Sequence, residues 1–529
     1  MVDRHVNMSE IALRLGVTLQ AVSNWRRRHT LFPASVTVEG QELFSVEEIA
    51  VWLDGRKIAK NDLMPDELPG TTYGTRFRAA LRLGHVSDDA VEALSRELVA
   101  LRGAEDVAVF ADLTLGLLYL AMSDEVRWNE VVASDGSRLE VLAKAPDPGL
   151  LGLRFDTESL LRDLGGQRQL AELVGLIERV RRSGRGVDVF DLLLDQFAAQ
   201  EGRRDAVVHT PAAVVHLLVA LVEPPAGASV LDPCCGSGGF LLGAADFLAA
   251  QGDRVADASF AGYATTARSR SLAHMNLRLH GVPAVVDTVG GLAYFRAEER
   301  IDDQRFDVVL SNPPFDLKAE REFAGPYGGL PKNRTSFAWL QYALSLLADR
   351  GRAAVVMPGG TLFREGAEKD VRARMVDAGV VDAIIALPPQ LFVTTAVPVT
   401  VWLLSPRSRK DAGEILFVDA RGLGHMISRT QRTLSVEDQG RIVDTVVRRR
   451  RGVECDDVLG FSASVPVESV REQDYVLVPG RYVGADVEAD TSVGTVATLL
   501  AELARLERRA EEVNAVVERQ LSGVRPWIR

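Results

Sequence analysis

A short apolar run, FDVVL at Phe306–Leu310, stops abruptly at the residues SNPPF, and this junction limits the folds that the chain can adopt. The run has the composition of a buried strand. Two prolines cannot continue a central strand, because each lacks an N–H group and has a fixed φ angle. Asn312 is therefore predicted to lie in a rigid loop at the carboxyl end of a strand, where open α/β sheets bind their ligands.

Side chains in this loop suit one task, the activation of an exocyclic amine. The amine of adenine is a poor nucleophile, because its lone pair is delocalised into the ring. The side-chain oxygen of Asn312 and a backbone carbonyl can both accept its hydrogens and localise that lone pair. Phe315 supplies a flat apolar face for a base taken out of the stack. The same residues are also typical of a proline-rich turn with a buried Phe, so the surrounding sequence has to decide.

A second loop, PCCGSGGF, follows the predicted strand ASVLD at 228–232, and a helix is predicted from near Leu241. A strand, a glycine-rich loop and a helix N-terminus let the backbone come close to a ligand. The loop has no P-loop lysine, so phosphate binding is not indicated, and Asp232 favours a cationic or hydroxyl-rich ligand instead. Cys234 and Cys235 have no second Cys or His pair at ligand spacing, so no metal site is predicted.

Strands and helices alternate through this region. The alternation predicts an α/β fold with a doubly wound, parallel sheet, in which a short return at Thr394–Pro398 makes the last strand antiparallel. Further predicted strands of the series are Phe260–Ala264, Ala284–Val289, Phe306–Leu310, Ala353–Met357, Asp382–Leu387 and, last, Val397–Leu404. Beyond this series, Glu414–Asp419 is predicted as one more strand. A helix over 212–222, with Pro211 in its first turn, precedes the predicted helices Ala267–His280, Ser336–Ala348 and Glu368–Ala378.

A winged helix-turn-helix is predicted for residues 1–56. Helices at Ser9–Leu15 and Leu19–Arg28 flank a short glycine turn, a small β wing surrounds Gly40, and Ser45–Leu53 is a third helix. This segment resembles the DNA-binding heads of the MerR and excisionase type, and the side chains expected to face DNA are Gln20, Ser23, Asn24 and Arg27. The alternative is a small packing module that touches no DNA, because acidic residues around the wing weaken the basic footprint.

The regions on either side of a catalytic domain at 206–405 carry no catalytic constellation. Residues 57–205 are predicted to form a helical domain that covers the core or joins a partner interface, with helices at Arg76–Leu83, Ser87–Leu101, Val107–Ala121, Leu160–Val180 and Val187–Glu201. Within residues 406–529, the run Arg448–Arg451 is interpreted as a solvated helix end, with a phosphate-contacting patch as the alternative. Thr495–Leu521 has a narrow apolar face with charged flanks, as in a helix that packs on a partner helix.

Composition restricts the class of protein further. The 529 residues are 47% hydrophobic, enough for roughly three or four domains with real cores. There are three cysteines, two of them adjacent, so a disulfide framework is not expected. No secretory signal or membrane-spanning apolar run is found, and a cytoplasmic protein is expected. The net charge of −12 argues against indiscriminate nucleic-acid binding but allows contact through local basic patches.

Three motifs in this order, Thr210-Pro211, DPCCGSGGF and NPPF, resemble the amino-methylating adenine DNA methyltransferases. The chain is most similar to the modification subunits of type I restriction systems. Supporting stretches include VFDLLLDQFAAQEG, LAHMNLRLHG, GRAAVVMPGGTLFREG, IIALPPQLF and LVPGRYVG. The resemblance runs from about Ser87 to the C-terminus, and the helix-turn-helix head lies outside the usual pattern.

The resemblance implies a role for each motif residue. Asn312 and the carbonyl of Pro313 hold the target amine, Pro314 stiffens the loop, and Phe315 stacks on the flipped adenine. Asp232 lies near the ammonium end of S-adenosylmethionine. The cofactor-binding residues that it implies are His209, Thr210, Pro211, Asp232, Pro233, Gly236, Ser237, Gly238 and Gly239, although His209 stands where an aromatic residue is more usual.

Two positions depart from the family pattern. The acidic residue that usually ends the second strand, where it holds the ribose hydroxyls, is replaced by Ala264. The Asp that usually follows the third strand, where it holds the adenine amine of the cofactor, is replaced within Gly290-Gly291. Each lost contact is worth roughly 1–3 kcal/mol, or about one to two decades of cofactor affinity.

These observations predict a site-specific methyltransferase that acts on the N6 amine of adenine in DNA, within a restriction-modification or related defence complex and without a metal. The implied partners are double-stranded DNA, a separate DNA-specificity subunit and a nuclease subunit, in a hetero-oligomer. A catalytically weak scaffold or sensor protein is the rival hypothesis, which the missing acidic contacts favour and the intact NPPF loop disfavours. Methylation of a protein glutamine or of RNA through the same clamp is the third.

Overall fold

A computed structural model describes residues 5–58 and 305–484, each with short gaps, together with 72–82, 107–134, 167–201, 210–288 and residue 505. Its strands are β1 (His5–Val6), β2 (Ser35–Val38), β3 (Gln41–Ser45), β4 (Ser229–Asp232), β5 (Ser259–Ala264), β6 (Ala284–Thr288), β7 (Phe306–Ser311), β8 (Phe323–Gly325), β9 (Gly328–Leu330), β10 (Leu347–Pro358), β11 (Val381–Ala386), β12 (Val399–Leu404), β13 (Glu414–Asp419), β14 (His425–Met426), β15 (Arg432–Thr433) and β16 (Ser462–Pro466).

The helices of the same residues are α1 (Met8–Leu15), α2 (Leu19–Arg28), α3 (Val46–Asp54), α4 (Tyr73–Arg82), α5 (Val107–Ser123), α6 (Glu125–Ala133), α7 (Gln167–Arg182), α8 (Gly186–Glu201), α9 (Ala212–Val222), α10 (Gly239–Ala250), α11 (Ala267–Leu279), α12 (Ser336–Ser345), α13 (Ala367–Asp377), α14 (Val436–Arg450) and α15 (Val467–Glu472).

Nine strands form one central sheet in the order β16-β13-β11-β12-β10-β7-β4-β5-β6. The predicted mixed α/β sheet is therefore present. Its pairs are parallel except those made by β12, which runs antiparallel to β10 and β11, and by the edge strand β16. The predicted antiparallel strand at the end of the series is thus confirmed. The order reverses around β4 and β7, so the loops after these two strands meet at one edge of the sheet.

Successive strand residues point to opposite sides of the sheet, and helices cover the side chains on both faces. In β7, Val308 and Leu310 pack into the core beneath α9, α10, α11 and α14. Val309 packs into the core beneath α12, α13 and α15. The apolar runs in the strands are long because both faces are buried, as expected for a sheet between two helical layers.

A set of helices, α5 to α8, packs on the outer side of α11. α5, predicted as a helix at Val107–Ala121, is apolar nearly all round, and its described side chains from Ala111 to Ala121 are buried. Leu272 and Met275 of α11 belong to the same core. The contact includes an ion pair, in which Arg268 Nε donates to Asp112 Oδ1 over 2.7 Å and both side chains are buried. The predicted helix Ser87–Leu101 lies outside the described residues.

The N-terminal head packs around a core of its own. α1 and α2 are followed by the β2–β3 hairpin and α3, and the side chains of Ile11, Leu15, Val22 and Phe44 form their shared core. α4 closes this core from outside, and Arg76 Nη1 donates to the carbonyl of Leu15 over 2.9 Å. The role of this head in DNA binding stays a prediction.

Two local predictions need correction. The helix predicted to reach Ala348 ends at Ser345, because β10 begins at Leu347 and extends over 12 residues. Pro211 lies at the N-cap of α9 rather than in its first turn, with φ −58° and ψ 142°.

The region after residue 405 also differs from a simple tail. β13 and β16 both belong to the central sheet, so the boundary predicted at residue 405 falls inside that sheet. Within the run Arg448–Arg451, Arg448 and Arg451 are exposed at the end of α14, as predicted. Arg450 is neither solvated nor available to phosphate, because its side chain is largely buried and donates to Glu223 Oε2 over 3.2 Å. Burial lowers the pKa of Arg450 to about 10. The helix predicted at Thr495–Leu521 lies outside the described residues, apart from residue 505.

Candidate functional site

Three separate segments of the chain meet at the carboxyl edge of the sheet. β4 pairs directly with β7, so Asp232 at the end of β4 and Asn312 just after β7 lie on neighbouring strands. Thr210, which precedes α9, reaches the same place, since Asn312 Nδ2 donates to Thr210 Oγ1 over 3.0 Å. Residues 102 positions apart in sequence are thereby brought into contact.

The amide of Asn312 is buried, and its nitrogen is hydrogen-bonded whereas its oxygen is not. Asn312 is 4% exposed, and its Nδ2 is committed to the hydroxyl of Thr210. Its Oδ1 has no hydrogen-bond partner in the described part of the chain. A buried amide oxygen without a partner costs free energy, so its persistence at a strand end indicates a site for a hydrogen-bond donor.

The rest of the NPPF loop is held by its neighbours. Pro313 is buried and Pro314 is half-buried. Trp339 Nε1, from α12, donates to the carbonyl of Pro314 over 3.2 Å. Phe315 is half-buried and packs at the margin of the core below α9 and α10, so part of its ring stays accessible.

Asp232 has a buried carboxylate, and few polar contacts of the protein offset its lost hydration. Its side chain is 1% exposed, and the backbone N–H of Cys234 donates to its Oδ1 over 2.9 Å. Burial raises the pKa of Asp232 to about 7, although the hydrogen bond from Cys234 opposes the shift. A cationic ligand at this carboxylate would reverse that shift and lower the pKa.

The glycine loop has the backbone that its sequence requires. Gly236 and Gly238 have φ angles of 53° and 85°, in the left-handed region that favours glycine. A Cβ at Gly238 would lie 3.0 Å from the side chain of Leu277 in α11. The carbonyl of Ser237 accepts a hydrogen bond of 2.8 Å from Asn276 Nδ2, and Asn276 is itself buried. This loop leads directly into α10, whose first residue is Gly239, while Pro233 is buried behind it.

Other predicted positions have mixed outcomes. Ala264 is fully buried at the end of β5, so its side chain offers no acceptor, and the next residues are Thr265, half-buried, and Thr266, which caps α11. His209 and Gly290-Gly291 lie outside the described residues.

In the head, Ser23 and Arg27 are exposed on α2, while the side chains of Gln20 and Asn24 are not among those described.

The sequence did not point to two residues of the site, Trp339 and Asn276. Both lie inside helices, where an aromatic residue or a single polar residue gives no signal of a partner elsewhere in the chain. Within the described residues, no group of three or more His, Cys, Asp or Glu side chains is arranged to hold a metal ion. The same residues contain no helix of sufficient length and apolar character to cross a membrane.

Comparison with known proteins agrees with this geometry. The sequence profile of the N-6 DNA methylase family matches residues 186–491. The HindI methylase subunit of a type I restriction enzyme from Haemophilus influenzae is 31% identical over 64% of this chain and 77% of its own length. The MjaIX methylase subunit from Methanocaldococcus jannaschii is 29% identical over 57% of this chain and 56% of its own length.

The fold is also found in a solved structure. The methyltransferase subunit of a type I restriction-modification system from Streptococcus thermophilus superposes with a TM-score of 0.53 and 22% identity, over 77% of this chain and 98% of that protein. At this identity, the likeness supports the fold alone.

Proposed function

The chain belongs to the N-6 DNA methylase family, and we propose that it transfers a methyl group from S-adenosylmethionine to the N6 amine of adenine in DNA. The observation that carries this proposal is the buried amide of Asn312, whose Oδ1 has no partner among the described residues at the carboxyl end of β7. A site built only to bind DNA has no physical need for such an acceptor.

In this proposal, the clamp acts on the amine of the target base. Asn312 Oδ1 accepts one hydrogen of the amine, and the carbonyl of Pro313 accepts the other. Both acceptors draw the lone pair out of conjugation with the ring, so that it becomes localised on the nitrogen. Phe315 stacks on the base, which has to leave the duplex to reach a loop at this depth.

The cofactor-side residues fit S-adenosylmethionine. When bound, the cofactor supplies an electrophilic methyl group. The carboxylate of Asp232 matches a ligand ammonium group, because a cation there relieves the cost of the buried charge. The positive φ angles at Gly236 and Gly238 let the loop backbone approach the ligand closely. The remaining contacts that we propose are those of His209, Thr210, Pro211, Pro233, Ser237 and Gly239.

The N-terminal head is proposed as a second DNA contact. Ser23 and Arg27 are exposed on α2, on the side opposite Val22, which is buried in the core of the head. We propose that this side faces the duplex together with Gln20 and Asn24. The head is small and basic only locally, which suits a contribution to positioning rather than tight binding.

The chain is proposed to work in a complex. Its relatives are named as methylase subunits of type I restriction enzymes. We propose accordingly that a separate specificity subunit supplies the recognition of the DNA sequence and that a nuclease subunit completes the complex. Thr495–Leu521 is the segment proposed to contact the specificity subunit, because its apolar face is narrow and its flanks are charged.

The scaffold hypothesis keeps one supporting observation. Ala264 is fully buried and has no acceptor for a ribose hydroxyl, so a contact expected in the family is missing. That hypothesis predicts little methyl transfer even when the cofactor is saturating, whereas loss of one contact predicts only a weaker cofactor affinity.

Expression of the chain with its neighbouring genes, in a host without adenine methylation, separates the two hypotheses. Long-read sequencing of the host DNA should find N6-methyladenine at one recurrent sequence, and the Asn312→Ala variant should abolish it. If DNA remains unmethylated in a host that contains the folded complex, the proposed function is wrong.

A further inference from the structure

The NPPF loop can donate few backbone hydrogen bonds to the rest of the protein. Pro313 and Pro314 have no N–H group, so for two consecutive residues the loop cannot donate a backbone hydrogen bond to its surroundings. The carbonyl of Pro313 and the side-chain oxygen of Asn312 are the groups assigned to the substrate. The carbonyl of Pro314 and the side-chain nitrogen of Asn312 are then among the groups left for the protein to hold.

The structure shows one hydrogen bond to each of these two groups. Thr210 accepts from Asn312 Nδ2 over 3.0 Å, and Trp339 donates to the carbonyl of Pro314 over 3.2 Å. Thr210 precedes α9, which covers one face of the sheet, and Trp339 lies in α12, which covers the other. The loop is therefore held from both helical layers.

We propose that Thr210 and Trp339 are positioning residues that set the geometry of the amine clamp; this inference rests on the proposed function. The hydroxyl of Thr210 accepts from the Asn312 amide nitrogen, which holds the plane of the amide and leaves Oδ1 for the target. A rotated amide would present Nδ2 to the amine, so two donors would face each other. The indole of Trp339 fixes the plane of the Pro314 carbonyl and, through the rigid proline pair, the direction of the Pro313 carbonyl.

Burial makes both hydrogen bonds effective. Trp339 is 2% exposed and Asn312 is 4% exposed, so water does not replace a lost partner easily. A shift of about 1 Å in a catalytic group costs on the order of 100-fold in rate. Loss of either hydrogen bond is accordingly expected to lower kcat, measured at saturating S-adenosylmethionine, by roughly 10- to 100-fold, without a comparable change in DNA affinity.

Trp339→Phe and Thr210→Val test the inference in the purified complex. Each keeps most of the packing and removes one hydrogen bond. Thr210→Ser restores the hydroxyl. Phe337→Leu is the control for lost volume, because Phe337 lies in the same helix as Trp339, is fully buried and packs on Trp402. The substrate is a duplex that carries the methylated sequence found in the host DNA.

At saturating S-adenosylmethionine, the expected result is a lower kcat for Trp339→Phe and Thr210→Val. The Kd for the duplex should stay within about twofold of the parent for both variants, and so should the Kd for S-adenosylmethionine for Trp339→Phe. Thr210→Ser should recover most of the rate, and Phe337→Leu should lower the melting temperature but not kcat. The inference is overturned if both hydrogen-bond variants keep their kcat, if Thr210→Ser is as slow as Thr210→Val, or if Trp339→Phe loses cofactor affinity instead of kcat. A parent complex that transfers no methyl group overturns the proposed function, and the inference with it.

Discussion

Cofactor binding should depend on pH through one buried carboxylate. Burial raises the pKa of Asp232 to about 7 in the absence of a cation. The ligand ammonium group needs the ionised carboxylate, so binding must shift that pKa downwards and release a proton. With a pKa of 7, about one carboxylate in eleven is ionised at pH 6 and about half are ionised at pH 7. Affinity for S-adenosylmethionine should therefore rise about fivefold from pH 6 to pH 7, which corresponds to about 1 kcal/mol.

Isothermal titration calorimetry measures both quantities. Repeating the titration at pH 6 in buffers with different heats of ionisation should reveal a release of about 0.9 proton for each cofactor bound. Asp232→Asn is the matched control: it should bind more weakly, and its affinity should be nearly flat between pH 6 and pH 7. An affinity of the parent chain that falls as pH rises, or a pH dependence that Asp232→Asn shares in full, would refute the assignment of Asp232.

Three further outcomes are expected. Arg268→Met should lower the free energy of unfolding by about 3–5 kcal/mol in urea titrations, because it leaves Asp112 charged and buried, while adding Asp112→Leu should recover much of that loss. Gly238→Ala should weaken cofactor binding in calorimetry, because its Cβ meets Leu277, whereas Gly252→Ala, with the same φ of 85° and open space around it, should cost only local strain. Arg27→Ala should lower the slope of DNA affinity against salt concentration by about 1 in fluorescence anisotropy; an unchanged slope would separate the head from DNA.

The catalytic loops were predictable because their residues restrict the backbone locally. Pro313 and Pro314 end a strand wherever they occur, and the glycines after Asp232 permit a left-handed turn that other residues disfavour. The alternation of apolar runs fixed the order of strands and helices for the same reason. Local signals of this kind do not depend on distant parts of the chain.

The supports of the site were not predictable, because they depend on tertiary contacts. Trp339 has the spacing of an ordinary core residue in α12, and its bond to Pro314 joins residues 25 positions apart. Asp112 and Arg268 are separated by 156 positions and meet only when α5 packs on α11. The apolar pattern also failed to predict the boundary between α12, which ends at Ser345, and β10, which begins at Leu347. No Pro or Gly marks that change from helix to strand.

The central claim is that Asn312 acts on the target amine and not on the cofactor. The most direct measurement compares Asn312→Ala with the parent complex in two assays on the same sample: calorimetric binding of S-adenosylmethionine, and single-turnover transfer of its methyl group to the duplex. The account predicts cofactor affinity within about threefold of the parent and a transfer rate lower by at least about 100-fold, as expected for the loss of a preorganised acceptor. Transfer at the parent rate, or loss of cofactor binding together with transfer, would contradict it.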